Sequence, residues 1–433
     1  MKKINLLVVG LFVSGALSAQ NINKLIHETN VTRLIRTLSA DSLGGRSSLL
    51  PGGIDKAAAF IEAEFLKIGL DPPPGATSFR QEFPKERIRR TGTTVTVDGE
   101  VIPAENLIVV SNQEKVDWNN NASVREITKE KNFMRLAFGM MEDSTDKLVL
   151  VDASHEPLFR RAQGYYNRIR LLDGPPKTGS VVFVLGKTAA TSYQVQIAQE
   201  RERFMMTNLV GMLPGKSPAR RKELVVFSGH YDHIGILGQV SGDSIANGAD
   251  DDASGTTAVI ELARYFKKLK SNSRTLVFAA FTAEEIGGYG SRHFSQQLNP
   301  DSVVAMFNIE MIGKVSKFGK DAAFITGYER SDFGKILQKN LKGTAFTFHP
   351  DPYPDQNLFY RSDNATLARL GVPAHTISTD QIDIDKFYHT VDDELETLDI
   401  SNITRTIQAI ALSARGIVAG RETPTRIDKT KVR

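Results

Sequence analysis

The chain has 433 residues, of which 41% are hydrophobic, so it has enough apolar material for roughly two or three domains, or for one large α/β domain with an insert. Cysteine is absent, which excludes disulfides, thiolate metal ligands, a cysteine nucleophile and a lipid-modified N-terminal cysteine. The formal net charge of +4 falls to +2 without Lys2 and Lys3, and this mildly basic balance predicts no nucleic-acid partner.

The segment 1–19 has the pattern of a signal peptide. Lys2 and Lys3 precede the apolar run Ile4–Val13, and small residues follow up to a cleavage site after Ala19. The run is too short to cross a bilayer, and the sequence offers no second run long enough to act as a membrane anchor. Together with the missing cysteines, this predicts an exported bacterial protein in the periplasm or outside the cell.

Helical patterns follow this segment. Apolar residues recur at helical spacing over 22–38 and 55–68, where Gly69 supplies a stop, and a proline-rich turn covers 71–75. The stretch 91–205 contains two strand-like runs, "KLVLVDAS" and "GSVVFVLG", among polar and charged segments. We interpret it as an insert with a small β-rich fold of its own.

From residue 206 to 420, apolar strands alternate with helices. This pattern indicates an α/β fold whose mostly parallel mixed β-sheet is covered by helices on both faces, and which includes 20–90 as a discontinuous part. The basic residues 421–433 are interpreted as a C-terminal tail. The predicted strands are "TNLVGMLPG", which ends in a turn, "KELVVFSGHYDHIG", "RTLVFAAFTAEE", which runs into two glutamates, "SVVAMFNIEMIG" and "GVPAHTIST". The predicted helices are Thr256–Leu269, Tyr289–Leu298 and Ile403–Val418.

Acidic and imidazole side chains fall at the predicted carboxyl ends of these strands, where α/β folds bind ligands. The residues concerned are His230, Asp232, Asp250–Asp252, Glu284, Glu285 and Glu310.

Three adjacent aspartates, Asp250–Asp252, repel one another and need a physical reason. One acid would suffice for the start of a helix, so three predict a divalent cation nearby. The middle residue, Asp251, is expected to bridge two metal ions, while Asp250 and Asp252 hydrogen-bond within the turn or balance charge. Small residues between Gly248 and Gly255 let the backbone approach closely.

Two histidines have carboxylates in reach. Asp232 can fix the tautomer of His230, and Asp393 follows His389 at four residues. His233 is interpreted as a spare, at the surface or behind a ligand. The remaining histidines are expected to be structural or exposed: His27, His155, His293, His349 and His375.

The neighbours Glu284 and Glu285 point in different directions, so one can bind metal while the other faces substrate. Two histidines, a bridging aspartate and two further acids suit a pair of zinc ions. A free carboxylate in such a site can accept a proton and pass it on.

The motifs "GHYDH", "GADDDASG", "TAEEIGGYGS", "NIEMIG" and "YHTVDD" resemble, in order and context, the M28 family of di-zinc metallopeptidases of the aminopeptidase Y and bacterial leucyl aminopeptidase type. The stretches "LSADSLGGRSS" and "FYRSDNATLARLGVPAHTIST" also resemble secreted bacterial members. The resemblance covers about 31–85 and 206–418 and implies the zinc-dependent exopeptidase, or phosphorylase/hydrolase-like, fold. The insert 91–205 lies where many members carry a protease-associated domain, so a related domain is one interpretation of it.

The resemblance implies a ligand set by position. His230, Asp251 and Glu310 would hold one zinc, and Asp251 would share the other with Glu285 and His389. Many members have aspartate where this chain has Glu310, and glutamate can still ligate zinc.

The resemblance also implies roles in acid–base chemistry. Glu284 would be the general base and Asp232 would orient His230. Tyr360 is a candidate for stabilising the tetrahedral intermediate, with a core tyrosine as the alternative.

The expected function is therefore that of an exported zinc aminopeptidase, with two zinc ions per chain and peptide substrates, which hydrolyses N-terminal peptide bonds with a metal-bridged water. Alternatives are a single-zinc enzyme resembling glutaminyl cyclase, a carboxypeptidase or dipeptidase of the same fold, and a binding domain. The sequence specifies neither the preferred terminal residue nor the oligomeric state.

Overall fold

A computed structural model describes residues 22–142, 144–166, 170–172 and 179–432 of the chain. The predicted signal peptide at 1–19 lies outside these residues. The chain divides into two compact units: unit 1 comprises the described residues up to Phe83 and from Met206 onward, and unit 2 runs from Pro84 to Met205.

Helices and strands alternate along much of the chain. The main α-helices, in chain order, are α1 (Glu28–Leu38), α2 (Gly53–Ile68), α3 (Phe133–Glu142), α4 (Glu156–Tyr166), α5 (Gly255–Leu269), α6 (Tyr289–Gln296), α7 (Phe333–Asn340), α8 (Asn364–Ala368) and α9 (Ile400–Val418). The strands are β1 (Arg80–Val97), β2 (Glu100–Val101), β3 (Leu107–Val110), β4 (Lys115–Asn119), β5 (Ser123–Ile127), β6 (Lys147–Val151), β7 (Arg170–Leu172), β8 (Val181–Leu185), β9 (Tyr193–Leu213), β10 (Leu224–His230), β11 (Gly235–Val240), β12 (Asp243–Ala246), β13 (Thr275–Phe281), β14 (Val303–Ile309), β15 (Ala322–Ile325), β16 (Thr347–Pro350) and β17 (Ala374–Ser378).

Unit 1 is built on a mixed sheet with the strand order β16-β15-β17-β14-β10-β13, and the end of β9 pairs with β13. Strand β10 runs parallel to both of its neighbours, β13 and β14, and β17 is parallel to β14. Strands β15 and β9 run antiparallel to their partners β17 and β13. The sheet is therefore mostly parallel, as the sequence predicts.

Helices cover both faces of this sheet. Side chains alternate along β10: Val225 and Phe227 join the core formed with α1, α2, α5 and α9. Val226 lies in a different cluster, with Phe294 of α6 and Leu367 of α8. This arrangement confirms the predicted fold class, because apolar strands that alternate with helices bury both of their faces.

Unit 2 contains a separate sheet with the order β3-β8-β6-β5, in which β8, β6 and β5 are parallel. One apolar cluster combines Phe183 of β8 with Phe133 of α3 and Phe159 of α4. A second cluster includes Trp118 of β4 and Val195 of β9, two strands that pair antiparallel. The predicted strand-like runs correspond to β6 and β8, whereas α3 and α4 were not predicted.

The segment 421–432, which the sequence presents as a basic tail, packs against the rest of unit 1. Ile427 is 4% exposed, and its backbone N–H donates to the carbonyl of Gly371. Arg426 donates to the carbonyl of Val303 over 2.7 Å. Among the described residues, no helix is both long and apolar enough to cross a membrane.

Candidate metal centre

The carboxyl ends of three central strands bring the acidic and imidazole residues to one edge of the sheet. In the register of β10 and β13, His230 lies beside Phe281, and the segment with Glu284 and Glu285 follows directly. Strand β14 ends at Ile309, one residue before Glu310. Because parallel strands end at the same edge, three distant stretches of sequence meet there.

The aspartate turn is fixed by backbone hydrogen bonds. The carboxylate of Asp252 accepts from the N–H groups of His230 at 3.0 Å, Gly255 at 3.0 Å and Met311 at 3.2 Å. The carboxylate of Asp250 accepts from the N–H of Gly313 at 2.6 Å. These contacts agree with the expectation that the two outer aspartates hydrogen-bond near the turn, and Asp252 ties three site segments together.

Asp251, the middle aspartate, lies between two imidazoles. Its Oδ1 is 3.2 Å from Nε2 of His230, and its Oδ2 is 3.3 Å from Nε2 of His389. The same Nε2 of His389 is 3.0 Å from Oε2 of Glu285. Each oxygen of one carboxylate therefore faces a different histidine.

Two groups of potential ligands share Asp251. Ligand atoms of His230, Asp251 and Glu310 all lie within 4.8 Å of one another. The same limit holds for a second group of His233, Asp251 and Glu285. With His389 in contact with Asp251 and Glu285, the structure brings together all five residues that the sequence proposed as ligands.

His233 was expected to be a spare residue behind the ligands or at the surface. It is buried, and its Nδ1 lies 2.6 Å from Oε1 of Glu285 and 3.8 Å from Oδ2 of Asp251. A surface location is therefore wrong. The "HYDH" motif could have predicted this location, because a second histidine three residues after the first can return to the same cleft.

The ring of His230 is oriented by Asp232. Its Nδ1 is 3.2 Å from the backbone carbonyl of Asp232, which can only accept, so Nδ1 carries the proton and donates. A carboxylate oxygen of Asp232 is 3.7 Å from the same nitrogen. The buried Nε2 atom of His230 has no partner with hydrogen-bond geometry among the described residues, although it faces Asp251.

Glu284 is anchored through its backbone, whose N–H donates to Oδ1 of Asp232 at 3.1 Å. Burial, together with the neighbouring carboxylate of Glu310, raises the pKa of Glu284 well above its usual range. Burial also raises the pKa of Glu310 to about 7, although the hydroxyl of Ser362 donates to it.

The histidines reflect this acidic environment. Burial lowers the pKa of His389, but its hydrogen bonds with Asp251 and Glu285 outweigh that effect and raise the pKa to about 10. Burial also opposes the charge on His230, while Asp232 and Asp251 raise its pKa well above the ordinary value. The site therefore favours positive charge between these carboxylates.

Asp393 was expected in reach of His389, but its carboxylate lies at the aspartate turn. It accepts from the backbone N–H groups of Asp250 and Asp251 at 3.0 to 3.1 Å. The side chain thus supports the backbone that carries Asp251.

Two tyrosines lie near the site. Tyr360, the sequence candidate, packs against Phe359, and the guanidinium of Arg330 lies 5.5 Å from its ring centre. Tyr388 was not predicted as a site residue, although its position directly before His389 indicated that it could lie near the centre. Its ring stacks on His389 with 3.9 Å between centroids.

A cleft opens beside Glu310. Apolar side chains form much of its lining, and Tyr388 contributes to it. Lining residues include Glu310, Met311, Phe324, Leu358, Ile382 and Tyr388.

The other histidines have structural surroundings. His375 is buried between the hydroxyl of Ser331 and the carbonyl of Thr326. The ring of His155 bonds the carbonyl of Thr128, and His293 stacks on Phe83. His349 stacks on Phe318, and His27 precedes α1 as an exposed residue.

The sequence of unit 1 matches a known family. The model of peptidase family M28 matches residues 208–414, which include every residue of the candidate centre. Residues 208–414 are a peptidase family M28 domain. This M28 chain is also 25% identical over 229 residues to leucine aminopeptidase 1 of Trichophyton rubrum, a match that covers 51% of the chain and 60% of that protein. The matched region thus spans less than two thirds of the relative's length.

Two solved structures share the fold of this M28 chain. An aminopeptidase from Aneurinibacillus sp. strain AM-1 superposes with a TM-score of 0.60 at 18% identity, covering 95% of this chain and 97% of that one. BSAP, a zinc aminopeptidase from Bacillus subtilis, superposes with a TM-score of 0.58 at 17% identity, covering 94% and 99% respectively. At such identities the likeness is one of fold.

Proposed function

We propose that this M28 chain is a zinc-dependent aminopeptidase that binds two zinc ions and releases residues from the N-terminus of peptides. The observation that carries the proposal is the position of Asp251, whose two oxygens lie 3.2 Å from His230 and 3.3 Å from His389. A carboxylate that faces two separate imidazoles is suited to bridging two metal ions. The leucine aminopeptidase relative supports the reaction class.

The donor set fits zinc. Imidazole nitrogens and carboxylate oxygens are typical zinc ligands, and the buried Nε2 of His230 lacks a hydrogen-bond partner among the described residues. We assign His230, Asp251 and Glu310 to one ion, and Asp251, Glu285 and His389 to the other. When bound, zinc supplies Lewis-acid chemistry that polarises a peptide carbonyl.

Glu284 would carry the proton. Its half-buried carboxyl group lies near Glu310 and His230, and its raised pKa suits a group that accepts a proton from the attacking water and donates it to the leaving amine. Asp232 would position both Glu284 and His230. Its carboxylate accepts from the backbone N–H of Glu284, and its backbone carbonyl orients the ring of His230. Tyr360 has no assigned part, since its contacts are with Phe359 and Arg330.

The cleft beside Glu310 would take the terminal side chain of the peptide. Phe324, Leu358 and Ile382 offer apolar surface there, in line with the leucine in the relative's name.

Export to the periplasm or the cell exterior forms part of the proposal and rests on the sequence pattern of residues 1–19.

A panel of peptides with mass-spectrometric readout tests the proposal. We expect loss of single N-terminal residues, abolished by a chelator and restored by zinc. Loss of C-terminal residues would instead indicate a carboxypeptidase, and cleavage confined to dipeptides a dipeptidase. Pyroglutamate formation with one zinc per chain would indicate a cyclase. Zinc binding without turnover of any peptide would contradict the enzymatic proposal.

A further inference from the structure

Arg46 is a buried cation in the segment "LSADSLGGRSS", to which the proposed function gives no role. Its side chain is fully enclosed, with 0% exposure. Among the ion pairs between described residues, none involves Arg46. A buried charge without a bonded carboxylate is costly, so the guanidinium needs another reason to be there.

Every hydrogen bond that this guanidinium makes with the described residues goes to a backbone carbonyl. Nε donates to Tyr231 over 2.8 Å, and Nη2 donates to Gly248 over 2.9 Å. Nη1 donates to Asn247 over 2.5 Å and also to Leu38. The planar fork of arginine, with five N–H donors in fixed directions, matches this set of acceptors.

Three of the four acceptors belong to the two loops that carry the proposed ligands, and the fourth, Leu38, ends α1. Tyr231 stands between His230 and Asp232, whereas Asn247 and Gly248 lead directly into the aspartate turn. The backbone carbonyl of Arg46 itself accepts from the N–H of His233 at 3.2 Å. One residue therefore joins the loop after β10 to the loop after β12.

The local backbone is shaped for this contact. Gly45 has φ +67°, and an added Cβ there would lie 2.5 Å from the carbonyl oxygen of Ala246 and 2.6 Å from that of Gly235. Arg46 itself adopts a positive φ of 48°, which is uncommon for a residue other than glycine. Only a glycine at 45 allows the chain to approach closely enough for the next side chain to enter between the loops.

The surrounding carboxylates offset part of the cost of burying this cation. Burial lowers the pKa of Arg46, while the carboxylates of Asp393, Asp251, Asp232 and Asp252 act through space to raise it. The guanidinium thus contributes a fixed positive charge behind the acidic cluster.

We propose that Arg46 is a positioning residue, which sets the His230 loop and the aspartate turn at the spacing that metal binding requires. The inference rests on the proposed function in that it takes His230 and Asp251 as ligands of the same ion. Arg46 acts through the backbone and has no contact with substrate. Loss of residues that orient metal ligands typically lowers metal affinity about 10- to 100-fold, and we expect an effect of that size.

Zinc affinity of the full chain, measured by competition with a chromophoric chelator, tests the inference. R46M removes both the charge and the donors, whereas R46K keeps the charge and loses the fork. R274M is the matched control, because Arg274 is equally buried and donates to the carbonyls of Ile417 and Glu422, away from the ligand loops. Visible absorption of the cobalt-substituted proteins reports ligand geometry independently of activity.

R46M should bind zinc about 10- to 100-fold more weakly than the parent and show an altered cobalt spectrum, while R274M loses thermal stability but keeps parental zinc affinity. If R46M does not fold, R46K decides: weakened zinc binding supports the inference, and parental affinity overturns it. Parental zinc affinity in R46M also overturns it. A parent chain that binds no zinc would instead overturn the proposed function, so the two failures are distinct.

Discussion

The carboxylate of Asp393 holds the backbone of Asp251, with 3.0 Å between its Oδ2 and the nitrogen of Asp251. It also accepts from the N–H of Asp250. All three residues are buried, so water cannot replace these hydrogen bonds. The geometry of the aspartate turn therefore depends on a side chain far away in the sequence.

Asp393→Asn should destabilise the metal-free protein. Asparagine replaces one of the two acceptor oxygens with an NH2 group, which in either orientation faces the buried N–H of Asp250 as donor against donor, at a cost of about 1–3 kcal/mol. Urea unfolding of the chelated protein measures this loss. The exposed neighbour Asp392 offers the control D392N, which should unfold like the parent. Equal unfolding curves for both variants would show that the turn does not need Asp393.

Glu284→Gln should retain zinc while peptide turnover falls about 10²- to 10⁴-fold, the usual contribution of a general base. Glu285→Gln is the contrasting neighbour, because Glu285 contacts His389 and should lose metal as well as activity. Zinc content by elemental analysis, measured beside kcat, separates the two. Substantial turnover in E284Q would remove Glu284 from the proton-transfer role.

The shared position of Asp251 predicts a distinctive pattern of metal stoichiometry. H230A and H389A should each retain about one zinc ion per chain, because each imidazole serves a different ion. D251A should lose both, since its two oxygens face both histidines. Elemental analysis after gel filtration gives the ratio directly. Loss of one ion alone in D251A would exclude a bridging role.

Acid should destabilise the fold through His375, which lies outside the metal centre. Burial lowers the pKa of this imidazole from 6.5 to about 4, so the unfolded chain binds a proton that the folded chain rejects. Its contribution to stability is complete above pH 6.5 and declines as the pH falls toward 4. Between pH 8 and 5 the free energy of unfolding should drop by about 2 kcal/mol on this account.

Urea unfolding of the chelated protein at both pH values, with H375Q as the comparison, isolates this contribution. The variant should be less stable at pH 8, because the bonds to Ser331 and Thr326 change, yet its drop between the two pH values should be smaller. Parallel profiles for parent and variant would assign the acid sensitivity to other groups.

The central strands and their acidic ends could be predicted because each has a local pattern within one short stretch of sequence. Strand β10 is an apolar run that ends at His230, and the turn that follows β12 contains three adjacent aspartates. The family resemblance was needed for Glu310, a single acid after a strand that has no local signature.

Other features could not be predicted because they depend on partners distant in the chain. Arg46 looks like a surface arginine until its four carbonyl acceptors come together. Strand β9 alternates buried and exposed residues from Tyr193 to Glu200. Its many charged residues make the segment look like a loop in the sequence, so its pairing with β4 was not predicted. The four-residue strands β15 and β16 are too short to show a period, so the register with their neighbours defines them.

The spread of the candidate ligands has a consequence for biogenesis. Because His230 and His389 meet at Asp251, a nascent chain still attached to the ribosome cannot assemble the centre until His389 has emerged. Peptidase activity would thus appear only after most of unit 1 has been synthesised.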